Sequence, residues 1–391
     1  MSAIEDKELE KIVLQCAAPG AKIVGYRLEP FSSTRSGIMG NHYSLSIELE
    51  EVSSKRRTLG FFVKRLPEWS NLRDSVFDEL AFYEEIKFYS HVHPDMRGSA
   101  KWSPACHFAM SDTLVLEDLR SQGYATRSSS IYDEATLSAA VTTLAHFHAS
   151  SIVAERRLAK TLDRAYPEAF REKIFTDVGK GGRSTKLGFH TLELLAERFQ
   201  LDGAEVPRIL KRIYELVKPI AGGCNTLCHG DLWRGNILFK DSVDGPECLL
   251  VDFQMLRYAS PCLDLAMLLY VHANPETRAR SECLMLERYC ATFREAVGEV
   301  GTDVPDCRRI MEDYRARRIV GMACAALRWP AAVVANLGDS RALESWYFGS
   351  RIETYCSLMD ADRVFEATMR ACLVELIDEG KRIANYEFAE H

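Results

Sequence analysis

Several things are scarce in this sequence. Basic residues do not outnumber acidic ones: 49 Lys and Arg face 56 Asp and Glu, for a net charge of −7. Such a balance supplies no field to hold nucleic acid or an anionic membrane surface, so neither is expected as a partner. No secretory leader is expected, because "MSAIEDKELEKIVLQC" reads as acidic and amphipathic, without a basic start or an apolar core. The most apolar stretch, "IVGMACAALRWPAAVVANLG", contains Arg328 and Pro330 and is too broken to span a bilayer. It reads instead as a buried helix that breaks at Trp329–Pro330. The twelve cysteines, from Cys16 to Cys372, follow no regular pattern. Cys224 and Cys228 come closest to a pair, but three residues separate them, which is not a redox or zinc spacing. Reduced thiols in a cytoplasmic protein are the expectation. No repeat, low-complexity tract or heptad pattern is present, and a monomer is expected.

What remains is an ordinary globular composition, 47% apolar and 27% charged. At 391 residues the chain is too long for one simple core, so two lobes are expected. Residues 1–17 read as a helix. "AKIVGYRLEP", "HYSLSIELEEV" and "RRTLGFFVKRLP" then alternate or run apolar at strand length. "SVFDELAFYEEIKFYSHV" switches to helical period, with Phe77, Leu80, Ala81, Tyr83 or Glu84, and Phe88 near one face, and "CHFAMSDTLVLEDL" gives two short strands. An extended segment follows near 117–124. From Ala135 the pattern is mainly helical, interrupted by one small hairpin, "NILFK" and "CLLVDFQ" around the turn "DSVDGPE". A strand-rich half and a helical half imply a cleft between them.

The chemistry-bearing residues gather at that hairpin. In "LCHGDLWRGNILF", Asp231 and Asn236 stand five residues apart, and Asp252 ends the following strand in "LLVDFQ". Phosphoryl transfer needs such a set: one carboxylate to orient the attacking hydroxyl, an amide and a second carboxylate to hold Mg²⁺ against phosphates. A hairpin keeps the three within a few ångströms of one another, because its strands are hydrogen-bonded neighbours. The protein-kinase catalytic loop H-R-D-x-x-x-x-N has the same Asp-to-Asn spacing. His229 reads as a buried hydrogen-bonder that shapes the loop rather than as a catalyst, since the Asp can act as base without it. Asp264, in "SPCLDLAMLL", reads as a helix cap or as an anchor bonding back to the loop.

Together "CHGDLWRGNILF", "LLVDFQ…SPCLDLAMLL", "LVLEDLRSQGY", "LAHFHASS" and "YEEIKFYSHV" resemble the ecdysteroid kinase-like (CHK kinase-like) family, over about residues 20 to 375. That family lies within the aminoglycoside and choline phosphotransferase branch of the protein kinase-like fold. The resemblance implies an α+β bilobal fold: a small β-rich N-lobe over 1–116, a hinge at 117–124, and a larger helical C-lobe over 125–391 with an embedded catalytic β-hairpin. It implies an ATP- and Mg²⁺-dependent kinase of small-molecule hydroxyls, with a hydroxylated steroid or another hydrophobic alcohol as acceptor. By resemblance Asp231 is the catalytic base, Asn236 and Asp252 are metal ligands, and Lys64 grips the α and β phosphates. Its helix partner is Glu84 or Glu85; the family pattern selects Glu85. Gly37 and Gly40, in "STRSGIMGNHYS", would let the backbone approach phosphate. Glu117 to Leu119 would be the hinge that pairs with adenine.

Three readings compete: a small-molecule kinase (choline- or aminoglycoside-type acceptors included), a protein kinase, and a nucleotide-binding pseudokinase. Only "FQMLRYASPCL" separates Asp252 from Asp264, with no A-P-E and no room for an activation loop, which argues against a protein substrate. Gln254 stands where D-F-G has its flexible glycine. The full set Lys64, Asp231, Asn236 and Asp252 argues against a pseudokinase. One departure remains. Many protein kinases carry a lysine two residues after the base, and here that place is Trp233, the family's own residue. Arg234 is either a stabiliser of the moving charge or a solvent-facing arginine. Trp329, Trp346, Tyr347 and Phe348 are aromatic candidates for lining an acceptor pocket or for the core.

Overall fold

The computed structural model describes residues 6–31, 41–66, 76–96, 98, 100–110, 112–167, 169–298, 304–336 and 351–389. Gly37, Gly40, Trp346, Tyr347 and Phe348 lie outside these described residues.

The N-terminal part is one antiparallel sheet with a helix on each side. Strands β1 (Lys22–Pro30), β2 (Asn41–Glu50), β3 (Arg56–Arg65), β4 (Cys106–Met110) and β5 (Thr113–Glu117) lie in the order β1-β2-β3-β5-β4. Side chains alternate along a strand. In β3, Leu59, Phe61 and Val63 therefore share one face, where they meet Leu9, Ile12 and Val13 of helix α1 (Asp6–Cys16). The i, i+3, i+4 spacing of those three α1 residues is what lets one helix face cover a sheet. Phe62 and Lys64 point to the opposite face, toward α2 (Val76–Lys87) and the rest of the molecule. Five residues in a π turn, Phe88–Val92, extend α2. Of the stripe expected there, Ala81 and Phe88 are buried, and Phe82, Glu85, Ile86 and Tyr89 are buried with them.

The segment after β5 is not extended. Arg120–Gln122 forms a 3-10 turn closed by Gly123 at φ +89°. The Asp118 carboxylate accepts from the Arg120 amide at 3.0 Å, so local polar side chains favour the turn. Arg120 also donates to the Phe31 carbonyl at 3.0 Å and to Ser44 Oγ at 2.6 Å, fastening the turn to β2 and the end of β1.

The C-terminal part is helical. Helix α3 (Glu134–Leu158) is capped by Asp133, whose carboxylate accepts from the Thr136 amide at 2.8 Å. Then come α4 (Leu162–Ala165), α5 (Gly179–Arg198), α6 (Glu205–Leu216), α7 (Cys262–His272), α8 (Pro275–Val297), α9 (Cys307–Asn336), α10 (Arg351–Ala361) and α11 (Arg363–Ala389). Between α6 and α7 stand two small sheets, β6 (Thr226–Cys228) with β9 (Arg257–Ala259), and the hairpin β7 (Ile237–Ser242) with β8 (Gly245–Leu250). The main core runs from α2 and the sheet's second face into these helices without a break.

The expected break at Trp329–Pro330 is absent, and α9 runs through Pro330 to Asn336. A proline leaves the carbonyl four residues earlier without its helical donor. Here that carbonyl, on Ala326, accepts from the Tyr355 hydroxyl of α10 at 3.4 Å, which offsets the loss.

Candidate active site

The loop 229–236 hangs between β6 and β7. Its backbone is fixed from α7: the buried Asp264 carboxylate accepts the His229 amide, the Gly230 amide at 3.0 Å, and a contact from His148 Nε2 at 3.2 Å. Burial opposes charge on Asp264, but these donors hold its carboxyl below the usual carboxylate range. Gly230 has φ +76°, and a Cβ there would lie 2.3 Å from the Met255 carbonyl, so no other residue fits. His229 is wholly buried; Nε2 lies 3.0 Å from the Val251 carbonyl, and Nδ1 accepts the Asp231 amide at 3.3 Å. Both ring nitrogens are spent on shaping the loop, and burial keeps the ring's pKa below its ordinary value.

These bonds aim Asp231. Its Oδ2 accepts from Asn236 Nδ2 at 3.0 Å, and the same amide nitrogen bonds the Asp231 carbonyl at 2.9 Å. Its Oδ1 is ion-paired with Arg328 Nη1, from α9. Arg328 Nη2 and Arg257 Nη2 each lie 3.2 Å from the Gly230 carbonyl, so two guanidinium groups frame the residue before the carboxylate. Arg257 is buried and balanced by Glu172 at 2.6 Å. Arg234 turns the other way, with Nη1 on the Ser128 carbonyl at 2.6 Å.

Lys64 forms the second half of the site. Its ammonium lies 2.6 Å from Glu85 Oε2 and 2.7 Å from Asp252 Oδ1. Burial disfavours the charge, yet the Asp252 and Glu85 carboxylates outweigh it and raise the pKa above the ordinary lysine value. Glu85 in turn accepts the Phe253 amide at 3.0 Å, so one carboxylate holds both β3 and the segment after β8. Glu84 faces away and pairs with Lys173. Asp252 sits at φ +69°, a left-handed conformation that costs a non-glycine residue about 1 kcal/mol or more. Three contacts keep it there: Lys64, the Gln254 amide at 3.2 Å, and the neighbouring Phe253 ring, stacked 4.8 Å from Phe88.

The two halves meet through the hairpin. The Val251 amide donates to the Asn236 carbonyl at 3.0 Å, which sets Asn236 beside the residue that precedes Asp252. The Asn236 amide oxygen and the Asp252 carboxylate are hard oxygen donors from adjacent backbones, a set suited to Mg²⁺. Glu117 ends β5 with its carboxylate tied to Lys101 at 2.8 Å, Gln122 at 2.6 Å and the Ala105 amide at 3.0 Å. Leu119 is buried, and its carbonyl accepts from the Gln122 and Tyr124 amides, both at 3.1 Å.

Sequence reasoning passed over two residues of this site. Gln254 was legible only as a missing glycine, yet it bonds Asp252 and lies 3.5 Å from Lys64. In the sequence Arg328 looks like an interruption of an apolar run, and its signal is that it is the sole charged residue in residues 319–338.

No curated protein matches the chain. Among solved structures it is similar to an ethanolamine kinase of Plasmodium vivax, at 11% identity and a TM-score of 0.45, over 88% of this chain and 83% of that one. It is also similar to the aminoglycoside phosphotransferase APH(2")-IIa in a ternary complex with streptomycin and ATP, at 14% identity and a TM-score of 0.40, over 84% and 90%. A microcompartment-associated aminopropanol kinase gives 11% identity and a TM-score of 0.35, over 90% and 98%. The family model of the ecdysteroid kinase-like family matches residues 37–302, more than half of the chain. The chain, with its strand-rich N-terminal lobe, helical C-terminal lobe and embedded hairpin, belongs to the ecdysteroid kinase-like family.

Proposed function

We propose that the protein transfers the γ-phosphoryl group of ATP to an alcohol of a small, hydrophobic acceptor, with Asp231 as the base. The observation that carries this reading is the Lys64 ammonium held between Glu85 and Asp252, beside the Asp231–Asn236 pair. Four chain segments converge to build that set, and nothing about packing alone requires three acidic groups so close together.

In the proposed reaction the acceptor oxygen bonds to the γ-phosphorus, the bond from phosphorus to the β–γ bridging oxygen breaks, and ADP leaves with that electron pair. The acceptor's proton passes to Asp231. Asn236 holds the Asp231 carboxylate in place, while Lys64, anchored by Glu85, binds the α and β phosphates. Asn236 and Asp252 would hold Mg²⁺, which neutralises phosphate charge when bound. Gly37 and Gly40 would cover the phosphates, and the backbone of Glu117 to Leu119 would receive the adenine.

Two features favour an uncharged, apolar acceptor such as a hydroxylated steroid. A guanidinium at the base repels a cationic acceptor, which weighs against choline-type substrates. Behind α9, a mostly apolar cavity is lined by Ile131, Tyr270, Met322, Ala325 and Trp329, with the Arg278–Glu375 ion pair in its wall. Trp329 adjoins Arg328, and Ile131 adjoins Ser130, whose carbonyl contacts His272, the partner of the Leu232 carbonyl. The cavity therefore connects to the loop through Arg328 on one side and through Ser130 and His272 on the other; at about 70 Å³ it has room for an apolar edge of the acceptor, which we assign to it.

The test is ATP consumption by the purified protein with hydroxylated steroids, plant phenolic glycosides and amino alcohols. Turnover confined to the first class is expected. Tight Mg–ATP binding without turnover for any class would replace this reading with a pseudokinase.

A further inference from the structure

We infer that Arg328 is a catalytic residue that contacts the transferring phosphoryl group, supplying from α9 the cation that the catalytic loop lacks. The inference rests on the phosphotransferase reading and adds to it a residue from an element distant in sequence.

The loop's own candidates are accounted for. Two residues after Asp231, where many protein kinases have a lysine, stands Trp233. Arg234 is engaged with the Ser128 carbonyl at 2.6 Å and the Arg127 carbonyl at 3.4 Å. Lys64 is anchored on Glu85 and Asp252. Arg257 is consumed by Glu172 at 2.6 Å and by the Gly230 carbonyl. Arg328 is the guanidinium that reaches the Asp231 carboxylate itself.

Chemistry then places it near the reacting atoms. The acceptor hydroxyl must hydrogen-bond to Asp231 while its oxygen faces the γ-phosphorus, so a group touching that carboxylate lies next to the phosphoryl oxygens. An arginine has five N–H donors in a planar fork, enough to keep one on Asp231 and direct others at phosphoryl oxygens. Each carboxylate oxygen also accepts more than one bond, so Arg328 on Oδ1 leaves room for the acceptor's hydroxyl. Charge-assisted bonds of this kind are strongest where water is excluded, and both side chains are largely shielded here, at 20% and 12% exposure.

The fold holds the arginine rigidly. Gly321 lies seven residues, almost two turns, before Arg328 and so on the same face of α9. A Cβ at Gly321 would sit 2.5 Å from the Ala266 carbonyl of α7, so only glycine permits the helices to approach this closely. Helix α7 carries Asp264, which grips the loop backbone. The same helix pair thus sets both the loop and the arginine that reaches into it.

The experiment needs no acceptor. Calorimetry measures binding of MgADP, and of MgADP with aluminium fluoride as a mimic of the phosphoryl in flight, to the wild type and to Arg328→Ala, Arg328→Met and Arg328→Lys. Aluminium fluoride should tighten MgADP binding to the wild type. In Arg328→Ala and Arg328→Met that tightening should fall about ten- to hundredfold, the worth of one charge-assisted bond, with MgADP alone changed less than about threefold. Arg328→Lys should retain part of it, and added ethylguanidinium should restore part of it to Arg328→Ala. Full tightening in both Arg328→Ala and Arg328→Met would overturn the inference. So would an equal loss for MgADP alone, which would mark a purely structural role; Arg328→Met, which keeps an apolar stem of similar length, guards against misfolding. A wild type that binds no MgADP would overturn the kinase reading itself.

Discussion

Asp231 is held from two sides, by the Asn236 amide on one oxygen and Arg328 on the other. Replacing it with asparagine keeps the shape and removes the proton acceptor. Asp231→Asn should lower turnover about 10²- to 10⁴-fold while leaving the melting temperature and MgADP affinity near wild type; undiminished turnover would assign the base elsewhere. His272 gives a second residue-scale expectation. Its Nδ1 lies 2.8 Å from the Ser130 carbonyl and Nε2 3.1 Å from the Leu232 carbonyl, with the Tyr132 ring stacked at 4.3 Å. Burial outweighs both bonds and pushes its pKa down to about 4. An unfolded histidine titrates near 6.5, so below that pH the unfolded chain takes up a proton that the native site resists. This contribution to stability is complete above about pH 6.5 and drains away toward pH 4, at no more than about 1.4 kcal/mol per unit. Denaturant unfolding measured from neutral pH down to about pH 5 should show the decline, and His272→Gln should flatten it; parallel curves would contradict the sign. At this scale the sequence was most informative where spacing is rigid. Asp231, Asn236 and Asp252 share one hairpin, and Lys64 ends a strand. Arg328 was not legible as a site residue because it is 97 positions from Asp231 and only helix packing joins them.

The elements best foreseen were those with strong periodicity, such as α1, β2, β3, α3 and α11. Helix α5 is a different case: its first half, "GKGGRSTKLG", holds four poor helix formers in glycine. Packing explains two of them. A Cβ at Gly182 would meet the Thr176 carbonyl at 2.4 Å, and one at Gly188 would meet Leu327 at 2.7 Å and Arg351 at 2.8 Å. The strands β6 and β9, three residues each, are too short to show alternation, and they exist because Cys228 and Arg257 frame the loop between them. Helix α9 persists through Pro330 because α10 offers a hydroxyl, a rescue no local pattern announces. The α7–α9 contact yields the element-scale prediction. Gly321→Ala forces a Cβ against the Ala266 carbonyl and should destabilise the protein by about 1–3 kcal/mol in urea unfolding. A change under about 0.5 kcal/mol would mean the helices part freely, and Arg328 would not be held as described.

Across the whole molecule, the sheet, the hairpin and the C-terminal helices converge on one small polar site surrounded by a continuous apolar core. The two-part architecture followed from the change of periodicity near Ala135, and the target class from the short run between Asp252 and Asp264. On the proposed assignment, the acceptor would be selected by side chains brought together from α7, α9 and α11, which no linear pattern records. If the cavity behind α9 takes the acceptor, Ala325→Leu should raise the acceptor's KM about tenfold and leave the KM for ATP unchanged in steady-state assays. An unchanged acceptor KM would move the pocket to another face. The most direct measurement of all is phosphorus NMR of the protein mixed with MgATP and the panel of hydroxylated compounds. A new phosphate-monoester signal should grow in step with ADP for a hydroxylated steroid and be lost with Asp231→Asn. An ester formed equally well by Asp231→Asn, or MgATP bound and never consumed with any compound, would contradict Asp231-dependent transfer to a small-molecule alcohol.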